Sequence, residues 1–211
     1  MKKVCVYLLL YILKIIPLVV ACIILDYLLK SRILEGFRHN LLLKAISDNL
    51  GHGIVAAIAW LVILDYQHDI KSLMQVILCG MAACCIDVDH FLHAGSLKLQ
   101  DAVHLSSRPP FHNSSIFLIL FLLLLLQNFY LKLNSMFSTF LLIIITAFVS
   151  HHLRDGNRRG LWFWPLGSTR ALSPDFVYIT AECLLPACIW KIQWMLNVTA
   201  EAESITTTLD V

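Results

Sequence analysis

Residues 76–86, VILCGMAACCI, run without a charge into Asp87-Val88-Asp89-His90, and His93 follows three residues later. An apolar helix that ends in two carboxylates and an imidazole suggests metal chemistry. Carboxylate oxygens and neutral imidazole nitrogens form the mixed ligand set that suits zinc, manganese or iron, and such ions activate water at neutral pH. A charged helix stop has the same letters. The two readings part on whether other His and Asp residues converge on this stretch.

The setting of the stretch is a membrane. The chain has 211 residues, of which 59% are hydrophobic and 14% charged, with a mean hydropathy of +0.77. Soluble domains have roughly 45–50% apolar residues. The fold class is therefore all-α, a polytopic transmembrane helical bundle. Residues 1–197 read as a single multi-span membrane domain, and 198–211 as a disordered polar tail without periodicity or bulk. The net charge of +2 gives no basis for a nucleic-acid partner. All seven cysteines fall inside apolar runs with no CxxC pair, and read as small buried hydrophobes.

About six spans are expected, over residues 4–29, 51–66, 73–86, 115–131, 136–150 and 176–196. Several are shorter than the roughly 20 residues that a bilayer requires, so their polar ends should continue the helices into the interface. The piece LLLKAI before the second span reads as an interfacial segment, and Ser47-Asp48-Asn49 as the N-cap of that span. Lys14 lies deep in the first span and should snorkel or face the bundle.

Consecutive spans alternate direction, which fixes the helix ends that share a side. The exits of spans one, three and five and the starts of spans two and four fall together, which brings Asp26, Asp48, His52, Asp87, Asp89, His90, His112, His151, His152 and Asp155 to one interface. His151 and Asp155 are four apart and share a helix face, as do Asp87 and His90 at a spacing of three. Asp87 and Asp89 diverge on a regular helix, so the helix must end or bulge if both are ligands. Each residue has a plain alternative: His52 as an interfacial helix residue, His112 within a turn, Asp87 to His90 as a charged helix stop. Their joint placement argues for a polar cluster.

Arg108, Arg154, Arg158 and Arg159 accompany that layer. Guanidinium groups recognise phosphate and carboxylate through paired hydrogen bonds. Lys and Arg also mark cytoplasmic loops. The cluster side carries ten of them against five on the other, which points to the cytoplasmic face. Gly160-Leu-Trp162-Phe-Trp164-Pro165-Leu-Gly167 reads as an interfacial lid or belt.

The strings SDNLGHG, IDVDHFL, RPPFHNS and SHHLRDGNRRGLWFWPLG resemble the transmembrane protein 267 family of animals. More distantly the motifs are similar to bacterial inner-membrane proteins classed as YdjM-like, predicted metal-dependent hydrolases. That pattern has an early His, matched by His52, and an Asp-x-Asp after a span, matched by Asp87 and Asp89. Its His-Arg-x-x-x-His-Ser stretch is matched by Arg108, His112 and Ser114, and its His-x-x-x-Asp with downstream Gly and Trp-Pro by His151, Asp155, Gly160, Trp164 and Pro165. Ser107 stands where the pattern has its first His, and Ile86 where it has Pro.

The resemblance implies a hydrolase-type metal site, zinc or manganese, held by His52, Asp87, Asp89, His112, His151 and Asp155. Water activated by the ion would attack, Asp89 would accept its proton, and Arg154 or Arg108 would hold an anionic group of the substrate. A phosphate or other ester on a lipid or amphiphile suits a site at headgroup depth. The alternative is a catalytically inactive membrane scaffold or binding protein with a structural polar or metal cluster. Transport is disfavoured, because such sites sit near the bilayer midplane and the ionisable residues there are few, Lys14, with Glu182 nearer an end.

Overall fold

The computed structural model describes residues 2–30, 40–131 and 135–209. Its helices are α1 (Lys2–Lys30), α2 (Leu41–Ile63), α3 (Ile70–Ile86), α4 (Val88–Ala94), α5 (Leu99–Val103), α6 (Ile116–Leu126), α7 (Ser135–Arg159) and α8 (Phe176–Leu209). A short antiparallel ladder pairs β1 (Trp162–Phe163) with β2 (Gly167–Ser168). The protein is an all-α membrane bundle, as its composition predicts. Among the described residues, four stretches are long and apolar enough to cross a membrane: Val6–Leu29, Leu41–Ile63, Ile70–Ala94 and Ser135–Arg159. Ile116–Leu131 is apolar but shorter. The last expected span falls within α8, whose backbone continues over most of the stretch expected as a tail.

Two local expectations are corrected. Ser47-Asp48-Asn49 does not cap the second span. The cap is Asn40, in extended backbone, whose side chain accepts the Leu42 and Leu43 N–H groups at 3.0 and 3.2 Å. The piece LLLKAI is consequently the start of α2 itself, because a satisfied cap at Asn40 lets the helix begin there. At the other end of the chain's polar layer, α7 runs on through His151 and Asp155 to Arg159, so the polar residues do continue the helix past the apolar core.

Helix α2 is the centre of the bundle and packs on α1, α3, α7 and α8. It meets α3 closely because two glycines face each other. A Cβ at Gly53 would stand 2.5 Å from Cys84 Sγ, and one at Gly80 would stand 2.9 Å from the Gly53 carbonyl oxygen. Trp60, fully buried, donates its indole N–H to Gln75 Oε1 at 3.2 Å across the same interface. Outward, Tyr7, Leu13 and Ile16 of α1, Met74 and Met81 of α3, and Leu118 and Leu122 of α6 form an exposed apolar perimeter. A bilayer solvates such a surface at no cost.

Lys14 faces the bundle, 2.5 Å from Asp65, and its carbonyl accepts the Tyr66 hydroxyl. Cys22 and Cys79 are buried as expected, whereas Cys85 and Cys188 lie on the exposed face. A thiol is apolar enough to face lipid, so burial in the core is not required of it.

Candidate metal centre

The helix carrying the opening stretch breaks where two diverging carboxylates require it to. Helix α3 ends at Ile86, Asp87 takes φ −67° and ψ −11°, and α4 restarts at Val88. Asp87 then points toward α7, and Asp89 turns to the loop before α6. That loop is stiffened by Pro109 and Pro110, which lead into a 3-10 turn over Pro110–His112. The β-hairpin clamps it from outside: Ser114 N–H donates to the Trp162 carbonyl at 2.6 Å, and Trp164 N–H to Asn113 Oδ1 at 3.1 Å. His112 is thereby buried and aimed inward.

Four donor atoms meet there. His112 Nε2 lies 3.4 Å from Asp87 Oδ1, 3.4 Å from Asp155 Oδ2 and 3.3 Å from His151 Nε2. His151 Nε2 lies 3.6 Å from Asp87 Oδ1 and 3.8 Å from Asp155 Oδ2. His52 stacks on His151 with ring centroids 4.0 Å apart, and its Nε2 is 3.5 Å from Asp155 Oδ1. Among the described residues, two groups of donors could hold a metal ion: His52, His151 and Asp155, and Asp87, His90 and His112, with the donor atoms of each group within 4.8 Å of one another.

The imidazoles are oriented from behind. His151 Nδ1 donates to the Ala83 carbonyl at 3.0 Å, which leaves Nε2 as the lone-pair nitrogen facing the cluster. His112 Nδ1 lies 3.3 Å from Asp89, which also accepts the Phe111 N–H at 2.6 Å and faces His90 Nδ1 at 3.3 Å. Burial disfavours a charged His112, but the carboxylates of Asp155, Asp87 and Asp89 outweigh it and push the imidazole up to about 11. The field at this point is that of a cation site.

The outer oxygens are held as well. Asn49 Nδ2 donates to Asp87 Oδ2 at 3.2 Å and to the Cys84 carbonyl at 3.1 Å. Arg158 bridges Asp155 Oδ1 at 2.8 Å and Asp48 Oδ2 at 2.7 Å. Beneath them Arg154, buried, bonds Asp48 Oδ1 at 3.1 Å and Asp26 Oδ1 at 3.4 Å, and Tyr178 donates to Asp26. Gly51 makes room for that guanidinium, since a Cβ there would sit 2.8 Å from Arg154 Nη2.

The sequence of the chain is similar to a transmembrane protein 267 from Mus musculus, 37% identical over 173 residues that cover 82% of this chain and 79% of the relative. The chain belongs to the transmembrane protein 267 family. The relative of that name from Danio rerio is 34% identical over 165 residues, 78% of this chain and 72% of its own. That from Xenopus laevis is 36% identical over 147 residues, 69% and 66%. No family model and no solved structure matches the chain. A multi-pass integral membrane protein is thus supported by the family's name and by the apolar helices alike.

Of the residues singled out from the sequence, His52, Asp87, His112, His151 and Asp155 come together, and Asp89 stands behind His112. Arg154 and Arg108, expected beside a substrate anion, bond the protein itself: Arg154 to Asp48 and Asp26, Arg108 to the carbonyls of Gly160 and Arg159. His90 reaches the cluster, 3.7 Å from Asp87 Oδ1 and 3.3 Å from Asp89 Oδ1, while His93 is exposed and bonds Ser107. His152 bonds back to the Phe148 carbonyl of its own helix. Asn49 reads in the sequence as part of a cap, yet its spacing of three from His52 on one helix is the signal that it faces the same layer.

Proposed function

We propose that His52, Asp87, His112, His151 and Asp155 bind a divalent metal ion, zinc or manganese, and that the centre hydrolyses an ester at the lipid headgroup level. The supporting observation is the set of five donor separations of 3.3–3.8 Å among His112 Nε2, His151 Nε2, Asp87 Oδ1 and Asp155 Oδ2. A tetrahedral ion with bonds of about 2.0–2.1 Å has ligand-to-ligand edges of about 3.3–3.4 Å, so small movements bring all four into reach. The similarity of the motifs to YdjM-like hydrolases supports the same chemistry.

A divalent ion in this place supplies Lewis-acid activation of water at neutral pH. The chain's own residues do the rest. Ala83 and Asp89 fix the two inner imidazoles, and Asn49 and Arg158 fix the outer carboxylate oxygens. The side chains of Asp87 and Asp155 keep 26% and 24% of their exposure, so the carboxylate edge of the cluster is open. Beside it Phe111, Trp164 and Leu166 are exposed apolar groups on the clamping hairpin and loop, suited to an amphiphilic substrate. The excess of Lys and Arg on this side supports a cytoplasmic placement.

Elemental analysis of the purified chain, with phosphate-ester hydrolysis measured in parallel, tests the proposal. Bound metal and activity, both lost in a folded His151→Ala variant, are expected. No metal as purified, and none recovered with zinc or manganese, overturns it. The engagement of Arg108 and Arg154 with protein groups favours a second reading, a scaffold stabilised by a structural metal. Under that reading His151→Ala and Asp155→Ala lose folding rather than chemistry.

A further inference from the structure

We infer that this layer takes two divalent cations, with the Asp155 carboxylate between them and His90 as a ligand of the second. The inference rests on the metal-centre reading above and narrows it. The donor separations admit two fillings, one ion among the four central atoms or one ion in each of the two triads. Two features of the geometry favour two ions, and a third calls for cations in the layer.

The first is the division of the donors. His52, His151 and Asp155 form one compact set and Asp87, His90 and His112 another. A single ion on the four central atoms has no use for His52 and His90, yet His52 Nε2 lies 3.5 Å from Asp155, and a ring nitrogen of His90, whose Nδ1 donates to the Asp87 carbonyl at 3.2 Å, falls within 4.8 Å of the Asp87 and His112 donors. The second is the posture of Asp155. Its Oδ1 faces His52 and its Oδ2 faces His112 and His151, and the stacked rings of His52 and His151 deliver their Nε2 atoms to opposite oxygens of that one carboxylate. A carboxylate presented in this way would span two ions, with Arg158 sharing Oδ1 at 2.8 Å.

The third is charge. Asp26, Asp48, Asp87, Asp89 and Asp155 are joined through Arg154, Arg158 and the histidines, five carboxylates against two guanidiniums. That deficit calls for cations in this layer, because charge left uncompensated in a membrane bundle is costly, and one divalent ion leaves one negative charge where two leave one positive. A pair of ions is the arrangement that clamps both the attacking and the leaving oxygen in a displacement at phosphorus. The substrate class narrows from esters in general to phosphate esters.

Metal stoichiometry decides the matter. The full chain, purified in detergent and stripped with a chelator, is titrated with manganese(II), and bound metal per chain is read by elemental analysis and by electron paramagnetic resonance. Two ions per chain with an exchange-coupled spectrum are expected. His90→Ala should fall from two ions to one, and His93→Ala should keep two. One uncoupled ion per chain in the unmodified protein overturns the two-ion inference and leaves the metal centre standing. No bound ion overturns both. Two ions retained in His90→Ala remove His90 from the ligand set. If His90→Ala does not fold, the count in the unmodified chain still decides between one ion and two.

Discussion

The carboxylate of Asp89 stands behind the imidazole of His112, 3.3 Å from Nδ1, and is itself fixed by the Phe111 N–H at 2.6 Å. His112 Nε2 is left facing Asp87, Asp155 and His151. With the proposed ion on Nε2 this would be the carboxylate–histidine–metal arrangement, in which the outer carboxylate sets the ring's orientation and basicity. Asp89, expected as a ligand and as the proton acceptor, would in that arrangement position His112.

Replacing Asp89 by Asn should therefore weaken metal binding without abolishing it. Outer partners of this kind typically contribute about 10–100-fold in affinity. A competitive zinc titration of folded Asp89→Asn should give a loss in that range, while Asp155→Asn, which removes a facing oxygen, should lose more. Equal losses for the two variants would place Asp89 among the direct ligands.

Arg154 should govern stability rather than substrate affinity. It is 3% exposed and stands between Asp48 and Asp26. Removing one partner of a buried charge pair costs about 3–5 kcal/mol, because the other charge is left uncompensated. Arg154→Met should lower the thermal midpoint in detergent strongly. Asp48 retains 26% side-chain exposure, so Asp48→Asn should cost less. Arg154→Met with native stability and a raised substrate KM would return the arginine to the role of anion holder.

The ion pair at the opposite end of the bundle should matter little. Lys14 and Asp65 are close at 2.5 Å, but their side chains are 39% and 65% exposed. Asp65 lies past the end of α2, at the far interface, and a pair that reaches water there is worth about 0–1 kcal/mol. Lys14→Met should leave both the thermal midpoint and metal content near those of the unmodified chain. A large loss of metal would tie Lys14 to the layer and revive a transport pathway through the bundle.

The parts of this site that were legible in the sequence share a helix register. His151 and Asp155 at a spacing of four, and the break demanded by Asp87 and Asp89 at a spacing of two, follow from helix geometry alone. What was not legible depends on partners far apart in the chain. Arg154 reads as an anion holder, and its bonds to Asp26 and Asp48, on other helices, could not be read from its own stretch. The start of α2 was misplaced because Ser47-Asp48-Asn49 has cap chemistry, and only the backbone at Asn40 shows where the cap is used. The hairpin over residues 162–168 has strands of two residues each, too short for any alternation to show.

The closest test of how the fold sets the site is at Gly80. Its α carbon faces Gly53 across the α2–α3 contact, where a Cβ would stand 2.9 Å from a backbone oxygen and 3.2 Å from Ala57 Cβ. Backbone cannot swing aside as a side chain can, so Gly80→Val must separate the helices. Overpacking of this kind costs about 1–3 kcal/mol. The separation also acts on chemistry, because α2 carries His52 and Asn49 while α3 delivers Asp87 and the Ala83 carbonyl that orients His151. Gly80→Val should therefore lose metal affinity along with stability. Met81→Ala, at the next position but exposed on the lipid side, should change stability by no more than about 0.5 kcal/mol and leave metal binding intact. A Gly80→Val protein that is destabilised yet binds metal at full affinity would show that the α2–α3 contact does not set the positions of the ligands.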